Sequence, residues 1–150
     1  MSILLDTNIL VYAYDPADLD RQQSAIAIMR ELQPRAVGVF SVQCLAEFFS
    51  VMTRSRGDQA PRLSPSQAYD QVALLSTAFQ VLDLTQMIVL EASRAVRDHQ
   101  LSYFDAQIWA SARLNQISMI FSEDFQDGQI LEGVTFINPF APNFDLDLWL

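Results

Sequence analysis

The chain has 150 residues, of which 51% are hydrophobic, a formal charge of -9 and a pI near 4.3. That length and apolar content suit one folded domain with its own core and exclude a disordered chain. So acidic a surface counts against a sequence-specific DNA binder, but leaves room for an enzyme that meets nucleic acid through bound cations.

In chain order, Ile3-Leu4-Leu5 reads as a buried strand, and a short helical piece follows Asn8 until Pro16. From Asp18 to Gln33 the apolar positions Ala25, Ile28, Met29 and Leu32 recur at helical spacing, with Asp18 as N-cap. Val37 to Phe40 is a second strand. Ser41 caps a helix to about Arg54 whose inner face carries Leu45, Phe48, Phe49 and Met52. The segment Gly57 to Ser64 is a loop, and Ser64-Pro65 opens a helix reaching Thr77. A third strand runs from Phe79 to Leu84. Thr85 caps a helix to about His99, and Ser102 caps another from Tyr103 to Asn115. Strands at Ile117 to Phe121 and Val134 to Ile137 close the pattern. Strands alternating with helices over short connections predict an α/β sandwich around a mostly parallel sheet of about four to five strands, with any ligand outside the carboxyl ends of the strands.

Four acids stand where packing alone does not call for them. Asp6 ends the first strand and Asp124 follows the run Met119 to Ser122. Glu47 sits among Cys44, Leu45, Phe48 and Phe49, and Asp105 lies within Tyr103-Phe104-Asp105-Ala106-Gln107-Ile108-Trp109. Burying a lone carboxylate is costly, and all nine basic residues are arginines, so no lysine is there to pair with one. A divalent cation is the simplest group that makes four converging carboxylates tolerable. Each has a plainer reading. Asp6-Thr7-Asn8 is rich in helix caps, Glu47 suits a solvated face if its helix is rotated, and Asp105 gains from the dipole of its helix. In Ser122-Glu123-Asp124, adjacent acids face opposite ways on extended chain. Asp124 is taken as the ligand, Glu123 as the fallback and Asp127 as a supporting residue.

Other residues read more simply. His99 suits a dipole-matching cap, Cys44 a small core hydrophobe, and Trp109 and Phe104 packing. Arg54, Arg56 and Arg62 cluster in one region and are the local candidates for phosphate contact. Cys44 is the only cysteine, no run approaches the roughly 20 apolar residues of a membrane span, and no basic leader is visible, so a cytoplasmic location is expected.

Taken together, Leu4-Leu5-Asp6-Thr7-Asn8-Ile9-Leu10, Cys44-Leu45-Ala46-Glu47-Phe48, Ser102-Tyr103-Phe104-Asp105-Ala106-Gln107-Ile108, Ser122-Glu123-Asp124-Phe125-Gln126-Asp127-Gly128 and Ile137-Asn138-Pro139-Phe140 resemble the PIN-domain family, specifically VapC-type toxins of bacterial toxin–antitoxin pairs. The resemblance implies a three-layer α/β/α sandwich spanning residues 1–140, with 141–150 as an extension past the usual end. It further implies a metal-dependent endoribonuclease in which Asp6, Glu47, Asp105 and Asp124 bind Mg²⁺ or Mn²⁺, supported by Thr7, Asn8 and Ser122. It implies an RNA substrate, a homodimer and a cognate antitoxin. The extension's Phe144, Leu146, Leu148, Trp149 and Leu150 leave three options open: docking on the body, extending a dimer interface or staying loose.

Hard carboxylate oxygens suit Mg²⁺ or Mn²⁺, and the chain lacks the cysteines and histidines of a zinc cage. One rival is a catalytically silent module of the same fold that acts through protein–protein binding. Another is a phosphoryl-transfer domain of the haloacid-dehalogenase or response-regulator kind. It fits poorly, since Asn8 stands where the former needs a second aspartate and both use a lysine.

Overall fold

In the computed structural model, which describes residues 1–150, the chain enters on β1 (Ile3–Leu5) and turns at once into α1 (Thr7–Tyr14). The helix α2 (Leu19–Leu32) and the strand β2 (Gly38–Ser41) follow. Ser41 then caps α3 (Val42–Thr53), its hydroxyl accepting from the Cys44 N–H. Ser64 and Gln67 form a reciprocal capping box at the start of α4 (Pro65–Ala78), with Pro65 where a missing N–H costs nothing. Next come β3 (Gln80–Leu82), α5 (Gln86–His99), α6 (Tyr103–Leu114), β4 (Met119–Phe121), β5 (Ile130–Leu131) and β6 (Val134–Ile137).

The strands form one sheet in the order β3-β2-β1-β4-β6-β5, parallel except for β5, which pairs antiparallel with β6. Helices flank it on both sides. One group links α1 to α2 and α3, and α3 to α4, while α5 packs on α6 and α6 lies against β4 and β6. The central strands are buried, as expected where helices cover both faces of a parallel sheet. From β1 the chain winds outward through β2 to β3, then returns to add β4 on the other side of β1. The order therefore reverses between β1 and β4, and such a switch point opens a crevice at the carboxyl ends of the two strands.

Local details differ from the sequence reading, each for a physical reason. The sheet has six strands, because β5 is a two-residue return too short to leave a pattern. Phe49 is 36% exposed, because it falls at the edge of the stripe on which α3 turns Leu45, Phe48 and Met52 inward. Ser102 makes no side-chain cap bond. His99 stands in the last turn of α5, as the dipole reading expects, but its Nε2 also meets Glu132 at 2.7 Å, and the left-handed Gln100 (φ 58°) ends the helix.

The segment 141–150 docks on the body. Phe144 meets Phe121 edge-on at 5.4 Å, and Phe144, Leu146 and Trp149 pack against the core. A 3₁₀ turn, Leu146–Trp149, follows Asp145, whose carboxylate accepts from the Asp147 N–H. Leu148, by contrast, is 74% exposed. Phe144→Ala is expected to lower stability by about 2 kcal/mol, below the range for a fully buried aromatic because the ring is only half-covered. Urea unfolding measures it, and an unchanged midpoint would mean the tail adds nothing to the fold.

Candidate active site at the carboxyl edge of the sheet

The reversal between β1 and β4 places Asp6, the residue after β1, beside Ser122-Glu123-Asp124, the segment after β4. The Asp6 N–H continues the ladder by donating to Phe121 O at 3.1 Å. The Asp6 carboxylate is 6% exposed. One oxygen accepts from the Thr7 N–H at 2.7 Å, the other from the Ser122 hydroxyl at 2.6 Å. Ser122 Oγ accepts in turn from the Asp124 N–H, and Asn8 Nδ2 donates to the Asp124 carboxylate at 3.3 Å. The Asp-Thr-Asn triplet thus caps α1 and also binds the loop after β4.

The other two acids come from helices. Glu47, in mid-α3, accepts from the Thr7 hydroxyl at 2.8 Å and from Gln43 Nε2 at 2.7 Å. Gln43 Nε2 also donates to the carbonyl of Phe104, the residue before Asp105, at 3.1 Å. Gln107 Nε2 donates to Gln43 Oε1, and Tyr103 Oη to Gln107 Oε1. These bonds tie α3 to the first turn of α6, where Asp105 lies half-buried.

The charges of the four acids act on one another. Burial pushes the Asp6 carboxyl up to about 7, against the pull of the Ser122 hydroxyl and Thr7 N–H, with the charges of Asp124 and Asp105 adding to the rise. Asp124 is also raised, by partial desolvation and then by the Asp105 charge, with Glu47 contributing further. None of the four enters an ion pair. The arginines and His99 pair instead with Asp15, Asp18, Glu31, Glu91, Asp98, Glu123 and Glu132.

The donor set is therefore all hard oxygen, negative and without a protein counter-charge, which fits Mg²⁺ or Mn²⁺ in chemistry. The side chains as they stand do not form a group of three or more that could hold one ion. Mg²⁺ in particular keeps several waters and takes only one or two carboxylates directly, so a site of this kind does not require an all-protein cage.

The remaining candidates fall elsewhere. Glu123 accepts from the Tyr12 hydroxyl and from Arg21 Nε at 3.2 Å, and its charge still adds to the rise at Asp124. Burial and that hydrogen bond push the Tyr12 phenol up to about 12. Asp127 accepts from the Asn138 N–H at 2.8 Å, bracing the loop against the end of β6. The arginine cluster does not act as one patch. Arg62 is paired with Asp15 at 2.9 Å, Arg56 donates to Ala60 O, and Arg54 alone is unengaged. Cys44 is fully buried, its thiol pushed up to about 11 by burial. Trp109 is buried, whereas Phe104 is 62% exposed. The expectation that Phe104 packs is thus corrected: position 104 faces outward while 105 and 109 share the inner face.

Gln43, Gln107, Tyr12 and Arg21 were not singled out from the sequence. Gln43 carried a usable signal, since it stands four residues before Glu47 and so on the same helix face. Arg21, 102 residues from Glu123, carried none.

A PIN-domain family model matches residues 3–126. No curated protein matches the chain. Among solved structures, the chain is similar to VapC20 of Mycobacterium tuberculosis, a toxin that cleaves the sarcin–ricin loop (24% identity over 87% of this chain and 98% of that one, TM-score 0.65). It is similar to a toxin–antitoxin complex from Klebsiella pneumoniae (18%, 92% and 98%, 0.63). It also resembles VapBC2 of Rickettsia felis bound to a DNA fragment from its promoter (16%, 91% and 97%, 0.65). At these identities the structural likeness establishes the fold.

Proposed function

We propose that this chain, which belongs to the PIN-domain family, is a Mg²⁺- or Mn²⁺-dependent endoribonuclease and the toxin of a toxin–antitoxin pair. The observation that carries the reading is that hydrogen bonds through Ser122, Thr7 and Gln43 link the segments bearing Asp6, Asp124, Glu47 and Asp105, whose charges act on one another, with none of the four paired with an arginine. Asp6, Glu47, Asp105 and Asp124 would hold the cation, directly or through water. When bound, it lowers the pKa of water and offsets the charge of the scissile phosphate.

The protein's own part is positioning. Ser122 and the Thr7 N–H fix the Asp6 carboxylate, Asn8 fixes Asp124, and Thr7 with Gln43 fixes Glu47. Each of these second groups fixes the orientation of one carboxylate, and such orientation governs how a ligand set holds its ion. Arg21 pairs with Glu123 beside Asp124 and offsets part of the negative charge there. The product of the reaction is a cut phosphodiester, with a water oxygen added to phosphorus and the ribose oxygen leaving as a hydroxyl.

Exposed Met87 and Leu90 on α5 offer an apolar face for a homodimer. A cognate antitoxin and a cytoplasmic site of action belong to the same reading, and no helix is long and apolar enough to cross a membrane. The boundary at residue 140 is likewise a proposal, with 141–150 as an accessory to the nuclease domain.

The test is cleavage of labelled RNA. EDTA should reduce the rate to background, and excess Mg²⁺ or Mn²⁺ should restore it. Undiminished cleavage in EDTA would contradict the metal-dependent mechanism. No cleavage under any dication would leave the silent interaction module as the better description.

A further inference from the structure

Beside Glu47 the surface dips into a depression of about 660 Å³ between α3, the residues before α5 and the start of α6. That lies within the roughly 300–1,000 Å³ typical of small-ligand pockets. Gln43, Glu47, Val51, Leu84, Phe104 and Arg54 are among the residues that line it. Two of these residues lack a role in the fold. Phe104 exposes 62% of its surface although it directly precedes Asp105, and its ring is held edge-on by Tyr103 at 5.2 Å. Arg54 is exposed and, with Arg30, is one of two arginines that make no side-chain hydrogen bond or ion pair. The other seven are engaged.

The geometry points to a nucleotide subsite for single-stranded RNA, in which the base beside the scissile phosphate stacks on Phe104 and its phosphate meets Arg54. This rests on the ribonuclease reading above and extends it to how the strand is held. A chain of charge -9 has little else with which to attract a polyanion. An unengaged guanidinium within the depression that Glu47 also lines supplies the missing positive charge where the strand must pass. An outward aromatic ring in a depression also lined by Val51 and Leu84 suits an unstacked base of any identity, since every base has a π-face. Double-stranded RNA keeps its bases stacked inside and could not use Phe104. The subsite therefore favours loops and single strands.

The probe is a short fluorescein-labelled oligouridine, titrated with the full chain in Ca²⁺ buffer and read by anisotropy. Phe104→Ala should raise Kd by about tenfold, the stacking contribution of one base, and Phe104→Trp should retain binding. Arg54→Ala should weaken binding and flatten the slope of log Kd against log salt by about 0.7, the loss of one phosphate contact on a single strand. Arg54→Lys should keep that slope. Both positions are exposed, so the substitutions leave the core intact.

Unchanged Kd in both alanine variants overturns the subsite. Unchanged Kd together with a shift of Phe104→Ala from dimer to monomer in sedimentation also overturns it and assigns the face to a second copy of the chain. If the wild-type chain cleaves RNA while Kd is insensitive to both variants, the subsite fails and the ribonuclease reading stands. If the variants lose binding but the wild type cleaves nothing in Mg²⁺ or Mn²⁺, the subsite stands and the ribonuclease reading falls.

Discussion

Asp6→Asn should abolish RNA cleavage, by about 10³-fold or more, while leaving a folded protein. The carboxylate is buried and held by two donors, the Thr7 N–H and the Ser122 hydroxyl. Asparagine has the same shape. Its Oδ1 can still accept from Thr7, and the Ser122 hydroxyl can rotate to accept from Nδ2. What is lost is negative charge at the point where Asp124 and Asp105 already act on Asp6. In the absence of metal, the substitution should even stabilise the fold by about 1 kcal/mol or more, because it removes a buried charge with no counter-ion. Cleavage rates and urea unfolding of the same preparation check both halves. An inactive protein that is also destabilised would point to a structural role for Asp6, and retained activity would remove it from the site.

Trp109→Ala should destabilise the protein by about 3–5 kcal/mol, the range for deleting a fully buried large aromatic, and so unfold a marginal domain. Trp109 is wholly inaccessible, its Nε1 donates to Leu131 O, and the guanidinium groups of Arg94 and Arg113 lie 5.7 and 5.8 Å from its ring centre. Those arginines share Glu91 and Glu132, so one ring supports an ion-pair network joining α5, α6 and the turn after β5. Trp109 also stands one helical turn beyond Asp105 on α6, so its packing sets where that carboxylate sits. Trp109→Phe keeps the packing and loses the hydrogen bond and part of the ring, and should cost about 1–2 kcal/mol. Thermal unfolding of both variants measures the difference. Equal melting points for Trp109→Ala and the wild type would refute the packing account.

The two predictions meet a common fact about what the chain discloses before it is folded. Helices were legible where an apolar stripe met a cap: Ser64-Pro65 with Gln67, Asp18 and Thr85 all start helices where their side chains accept the expected backbone bonds. The parallel α/β class followed from the alternation of elements. The adjacency of β1 and β4 could not be read, because 116 residues separate Asp6 from the Ser122 hydroxyl it accepts. Only tertiary pairing sets that contact. The candidate acids stood out because each interrupts an apolar run. Their hydrogen-bonded supports did not, since Gln43 and Gln107 are unremarkable until two helices bring them together. Glu123 and Asp124 illustrate the limit well. Neighbouring acids looked alike in sequence, and the folded chain distinguishes them, since Glu123 is engaged by Tyr12 and Arg21 and Asp124 by Asn8. Phe104 erred in the opposite direction, as an aromatic beside a buried helix face that proves to lie on the outside.

The central claim is that four carboxylates from the turn after β1, α3, α6 and the loop after β4 serve a single dication. Anomalous diffraction at the manganese edge from a crystal soaked in Mn²⁺ tests it most directly. The account predicts a peak in bonding distance of at least one of Asp6, Glu47, Asp105 and Asp124, with the others reaching it directly or through water, and its loss in Asp6→Asn. Manganese bound elsewhere, or a peak unaffected by that substitution, would contradict the account.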